Sequence, residues 1–231
     1  MKTLGIVGGL GPESTIECYR FILAAYRERR PGASPAILIN SLDVDYGISL
    51  LDANKLDELA GYLADAVEAL ARAGADFALI AANTPHIVFD PVQRRSTIPL
   101  ISIVEATCGE AQRLGLTKLA LLGTGFTMRG RFYPDVFSRA GIELVVPGNE
   151  EQAFIHDKYI HELLKNIFLP ATRDGLFAIV EKMKERERIQ GIILAGTELP
   201  LILREVQDRA GIPFLDTTVI HVGRAVRELL S

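Results

Sequence analysis

The sequence predicts an α/β protein of two similar Rossmann-like lobes, each built on a parallel sheet, related by a pseudo-twofold, with the site in the cleft between the lobes. Three observations predict it. Short apolar runs recur without clean alternation, longer patterns of helical spacing separate them, and the order of runs and loops repeats once along the 231 residues. Strands buried on both faces read as continuous apolar runs, and strand-helix-strand alternation implies parallel pairing.

Taken in order, the strand candidates are Leu4 to Val7, Ala36 to Ile39 and Phe77 to Ile80, then Leu119 to Leu122, Leu144 to Val146 and Ile192 to Leu194. The clearest helices are Glu13 to Glu28 and Leu56 to Ala71, where apolar residues recur at spacings of three and four. The repeat has three anchors. Ile6-Val7-Gly8-Gly9 corresponds to Leu121-Leu122-Gly123-Thr124, Ala82-Asn83-Thr84 to Gly196-Thr197-Glu198, and Ile98-Pro99-Leu100 to Ile212-Pro213-Phe214, all at an offset of about 115. A first lobe of residues 1–97 completed by 208–231, and a second of 98–207, follow from it.

Charge excludes a nucleic-acid footprint. Asp and Glu total 29 against 25 Lys and Arg, and the sign-alternating run from Glu181 to Arg188 reads as a solvated helix face. The apolar run after Lys2 is too short for a signal peptide, and no stretch is long enough to span a bilayer. The expectation is a cytoplasmic protein with neither nucleic-acid nor membrane partner. Cys18 and Cys108 share apolar helical patterns with Ile22 and Ala25, and with Val104 and Ala111, as small buried hydrophobes do. No metal-ligand spacing is present.

Ligands of open α/β sheets bind beyond the carboxyl ends of the strands, so four loops carry the predicted chemistry. Gly8-Gly9-Leu10-Gly11-Pro12 precedes a helix that Glu13, Ser14 or Thr15 could cap, and it serves either as a tight turn or as a seat for a small anion. Ala82-Asn83-Thr84-Pro85-His86 gathers an amide, a hydroxyl and an imidazole, able to hold a carboxylate or to secure the turn; His86 suits a structural role better than a catalytic one. Thr124 and Thr127 offer hydroxyls for ligand contact, with Thr127 also a helix-cap candidate. Arg129 and Arg131 could reach an anion or solvate a helix. Thr197 and Glu198 close the set, Glu198 as a general base or as an ordinary helix-start carboxylate.

IVGGLGPEST from Ile6, the segment Ala82 to His86, LLGTGFTM from Leu121 with Phe132-Tyr133, GTELP from Gly196 and the closing IPFLDTTVIHVGRAV from Ile212 together resemble the cofactor-independent aspartate/glutamate racemase family over nearly the whole chain. The resemblance implies an isomerase of amino-acid metabolism that uses neither pyridoxal phosphate nor metal, forms a homodimer, and binds a small amino acid or dicarboxylate. It implies two cysteine thiolates that remove and return the α-proton from opposite faces, at positions that fall on Ala82 and Gly196. Family-like binding groups fall on Ser14, Thr15, Asn83, Thr84, Thr124, Thr127 and Thr197, with Glu198, Thr217 and Thr218 beside them, while Lys165 resembles a lysine that binds a distal carboxylate. No distal-carboxylate arginine is evident near Asp43 to Ser49.

Ala82 and Gly196 have no titratable side chain, so the expectation is that both family cysteines are replaced and that a two-thiol mechanism cannot operate. A racemase-family protein with other chemistry, through Glu198, His86 or water, or an inactivated variant is then the first reading. A non-catalytic amino-acid or dicarboxylate-binding protein, and a lyase or hydrolase acting on a small carboxylic acid, are the alternatives.

Overall fold

The computed structural model of the chain describes residues 2–231. The chain divides into two compact units, one holding the residues up to Ala106 together with Thr218–Ser231, the other Thr107–Thr217.

In the first unit β1 (Thr3–Gly8), β2 (Ala36–Ser41), β3 (Phe77–Ile80) and β4 (Leu100–Ile101) form a parallel sheet in the order β2-β1-β3-β4. The intervening helices are α1 (Pro12–Arg29), α2 (Val44–Asp52), α3 (Leu56–Arg72) and α4 (Phe89–Arg95). The chain passes to the second unit within α5 (Ile103–Arg113) and returns at the start of α11 (Thr217–Leu229).

The second unit repeats the plan. Strands β5 (Lys118–Gly123), β6 (Glu143–Val145), β7 (Gly191–Ala195) and β8 (Phe214–Asp216) lie parallel in the order β6-β5-β7-β8, each in the place of the strand four earlier. Its helices are α6 (Gly125–Arg129), α7 (Phe132–Arg139), α8 (Asn149–His161), α9 (Pro170–Glu187) and α10 (Leu199–Leu203). The two sheets are pseudo-symmetric copies, as the sequence repeat predicts.

Period-two alternation of side chains explains why these strands are apolar throughout. In the first sheet Leu4, Ile6, Phe77 and Leu79 face a core shared with Cys18, Ile22 and Tyr26 of α1 and with Val222 and Val226 of α11. Val7, Ala78 and Ile80 face the other side, against Leu59, Leu63, Val67 and Leu70, the inward stripe of α3. Each fully buried leucine there stabilises the unit by about 2 kcal/mol. In the second sheet Ala120, Leu122, Ile192 and Leu194 pack against Ile155 and Tyr159 of α8 and Leu176, Val180 and Met183 of α9.

The strand and helix expectations are met to within a residue or two at each end. Other elements lie where no element is expected, and three of them show why. β4 and β8 are strands of two and three residues, too short to show a period, and they place Leu100 with the first sheet and Phe214 with the second. Helix α2, in a segment with no expected element, is nucleated by Asp43, whose Oδ1 accepts the amides of Asp45 (2.9 Å) and Tyr46 (3.2 Å).

Candidate functional site

Within each unit most of the predicted residues lie just beyond the carboxyl ends of the two central strands. In the first unit, β1 runs into Gly8 and Gly9, and Thr15 organises the turn. Its Oγ1 accepts the Gly9 N–H (2.9 Å) and donates to the Gly11 carbonyl (3.3 Å). A Cβ at Gly8 would lie 2.4 Å from Thr15 Cγ2, and Gly9 has φ of +81°, so this close turn demands glycine at both positions. No side chain caps α1; Gly11 stands at the N-cap and Pro12 opens the helix. Ser14 and Thr15 are both buried.

β3 leads into Ala82, Asn83 and a 3-10 turn, Thr84–Val88. Asn83 is buried and Thr84 half-buried. His86 is committed at both nitrogens: Nδ1–H donates to the Ala82 carbonyl (2.9 Å), and Nε2 accepts the Ile103 amide (3.2 Å). Below it, His221 of α11 donates Nε2–H to the Ile101 carbonyl (2.8 Å), with the two rings edge to face at 6.0 Å. Burial, then the neighbouring His221, brings the His86 pKa down to about 3. Burial brings that of His221 down to about 4. Both are neutral near pH 7 and fasten β4 and the start of α5. An imidazole so held has no nitrogen left to trade a proton with a ligand.

In the second unit β5 ends at Gly123. Thr124, rather than the expected Thr127, is the N-cap of α6: its Oγ1 accepts the Thr127 amide at 3.3 Å and lies 3.3 Å from Thr127 Oγ1. Gly125 donates its N–H to Nδ1 of His156 (3.1 Å), whose ring meets Phe126 edge to face. Arg131 pairs with Asp135 one helical turn on (2.6 Å), the solvated alternative of the two foreseen.

At the end of β7, Thr197 and Glu198 come together with a residue the sequence does not single out. Glu198 is 3% exposed; its Oε2 accepts from Thr197 Oγ1 (2.7 Å) and from the Tyr159 hydroxyl of α8. Burial first, then the Glu198 charge and hydrogen bond, raises the Tyr159 pKa well above the usual phenol value. Thr217 Oγ1 donates to the Leu194 carbonyl (2.9 Å), a structural tie across β7 and β8. Thr218 is buried at the start of α11. Lys165 is exposed, at the end of a single 3-10 turn, Leu163–Lys165. Tyr159, His156 and His221 were missed because nothing local marks them; Tyr159 lies 39 residues before Glu198. Among the described residues no group of three or more His, Cys, Asp or Glu is placed to hold a metal ion.

Both units thus carry hydroxyl- and carboxylate-bearing loops at matching strand ends of a duplicated parallel α/β sheet, the framework of a small-molecule site. The family model of the Asp/Glu/Hydantoin racemases matches residues 7–225, and the chain belongs to that family of PLP-independent isomerases of amino-acid metabolism. It is 26% identical to the broad specificity amino-acid racemase RacX of Bacillus subtilis (strain 168), over 99% of this chain and 98% of that one. Two solved structures align over the full length of both chains: a protein from Yersinia pestis provisionally named an Asp/Glu racemase, 31% identical with a TM-score of 0.90, and an aspartate racemase homologue from Pyrococcus horikoshii OT3, 33% identical with a TM-score of 0.86. Glutamate racemase of Francisella tularensis, solved with D-glutamate, shares the fold over 99% of this chain and 81% of its own at 15% identity, with a TM-score of 0.70.

The family match corrects one expectation. The expectation that the family's cysteines are replaced at Ala82 and Gly196, that a thiol mechanism cannot operate, and that altered chemistry, an inactivated variant, a binding protein, or a lyase or hydrolase follows does not hold. The chain keeps two cysteines, Cys18 in α1 and Cys108 in α5, both buried and neither in a disulfide, so a thiol mechanism is not excluded. Burial pushes the Cys18 thiol up to about 12, so that it is protonated in this conformation.

Proposed function

We propose that the protein is an amino-acid racemase that removes and returns the α-proton of a small amino acid or amino dicarboxylate without pyridoxal phosphate. Membership of the family across residues 7–225 is the observation that carries the reading. The repeated loops support it: Asn83 and Thr84 after β3, and Thr197 and Glu198 after β7, occupy equivalent places in equivalent sheets. The Asn83 amide and the Thr84 hydroxyl are hydrogen-bond donors of the kind an α-carboxylate needs, and such donors also stabilise the charge that develops when the α-proton leaves, whereas the Glu198 carboxylate is an acceptor.

Among substrates we favour a panel wider than aspartate and glutamate. The relative from Bacillus subtilis is named for broad specificity, and Lys165, the lysine that the resemblance sets against a second carboxylate, is exposed. The test is α-proton exchange in deuterated water, followed by proton NMR on resolved enantiomers of aspartate, glutamate, alanine, lysine and arginine. Loss of the α-proton signal from at least one substrate, proportional to enzyme, is expected. No exchange from any of them above a heat-denatured control would refute the reading.

A further inference from the structure

Tyr159 sits in the last turn of α8, 4% exposed, its ring in the same core as Leu194 and Leu199. Its phenol stands where a side chain at position 196 would be. A Cβ on Gly196 would lie 2.5 Å from Cε2, 2.7 Å from the hydroxyl oxygen and 2.9 Å from Cζ. The absence of that side chain admits the phenol to the carboxyl end of β7, where an open parallel sheet presents its ligand-binding loops. There the hydroxyl donates to Oε2 of Glu198, which Thr197 also binds at 2.7 Å. A buried carboxylate with two hydroxyl donors on one oxygen is a positioned base, and the phenol is its natural conduit.

The geometry points to Tyr159 and Glu198 as a proton relay for chemistry at the α-carbon, with the phenol oxygen meeting the α-hydrogen and Glu198 receiving the phenol's own proton. This rests on the racemase reading above. In the forward step the Cα–H bond breaks and its electron pair stays on the α-carbon, delocalised into the α-carboxylate. The released proton forms an O–H bond on Tyr159 while the original phenol O–H breaks, and that proton forms an O–H bond on Oε2 of Glu198. Tyr159 is neutral before and after; Glu198 ends as a neutral carboxyl. The reverse sequence returns a proton to the same face.

Passing one proton in and another out spares the site a free tyrosinate. That species is disfavoured here, since burial and the adjacent Glu198 hold the phenol's pKa well above its ordinary value. Because the relay approaches from one side, it serves one enantiomer of the substrate.

The test compares wild type, Tyr159→Phe and Glu198→Gln by α-proton exchange on each enantiomer, with kcat and KM resolved and folding checked by circular dichroism. Tyr159→Phe keeps the ring over Gly196 and removes only the hydroxyl; Glu198→Gln keeps the shape and removes the base. Both are expected to slow exchange of one enantiomer by about 10²- to 10⁴-fold through kcat, with KM changed little. Either folded variant exchanging both enantiomers at the wild-type rate overturns the relay while leaving the racemase reading standing. So does a loss confined to KM. A wild type that exchanges no substrate overturns the racemase reading, and the relay with it.

Discussion

The imidazole of His86 holds the amide of Ile103: Nε2 accepts that N–H at 3.2 Å while Nδ1–H is given to the Ala82 carbonyl at 2.9 Å. One ring thus joins the loop after β3 to the first turn of α5, and it does so only as the neutral tautomer. His221 in turn donates Nε2–H to the carbonyl of Ile101, the last residue of β4.

These two histidines make the fold acid-sensitive. Their folded pKa values, about 3 and about 4, lie below the usual 6.5, so between those limits the unfolded chain binds protons that the folded one does not. Stability is therefore full above pH 6.5 and is lost as pH falls, by up to about 1.4 kcal/mol per pH unit for each histidine. Urea unfolding at pH 7.5, 6 and 5 should show a loss on the order of 2–4 kcal/mol, and His221→Gln should flatten the slope. A free energy constant over that range would count against the buried, neutral assignment.

Thr15 is the keystone of the first glycine turn. Thr15→Val preserves shape but strands the buried Gly9 N–H, at a cost of about 1–3 kcal/mol in chemical unfolding. Thr15→Ser keeps the acceptor and should lose less. A loss for serine with none for valine would mean that the methyl group, rather than the hydrogen bond, matters.

Gly196 and Tyr159 should be energetically coupled. Gly196→Ala alone drives a methyl group into the phenol ring and should destabilise by about 1–3 kcal/mol. Combined with Tyr159→Ala, which vacates that space, it should cost much less than it does alone, giving a coupling of at least about 1 kcal/mol. Strict additivity would show that the two side-chain positions do not compete.

Cys18 is 3% exposed and its thiol is held protonated by burial up to about 12. At pH 8 it should react with an aromatic disulfide reagent only at the rate of local opening, and rapidly in denaturant. Peptide mapping after a timed pulse reads this directly. Immediate modification of Cys18 in the native protein would show that the α1 face opens to solvent.

Much of this was legible beforehand because it is written in local patterns. Continuous apolar runs marked β1, β3, β5 and β7, the three-four spacing marked α1 and α3, and the recurrence of glycine turns marked the duplication. What stayed hidden depends on distant partners. β4 and β8 are too short for a period and form by pairing with β3 and β7. Asn83, Thr84, Thr197 and Glu198 stand out in the sequence because they follow strands, whereas Tyr159 and His221 act through contacts made far along the chain. The structural bent of His86 is legible in the sequence, but its partners and those of Thr15 are not: which backbone group a hydroxyl or imidazole finds is decided by packing. Two isolated cysteines, read against motif positions alone, led to an exclusion that membership of the family does not support.

An amino-acid racemase interconverts the two enantiomers of its substrate. Chiral chromatography, starting separately from the pure L and pure D forms of each panel substrate with enzyme free of pyridoxal phosphate, measures this most directly. For at least one substrate both reactions should converge on equal amounts of the two enantiomers, unaffected by a carbonyl-trapping reagent. Each starting enantiomer remaining unchanged across the whole panel would contradict the account.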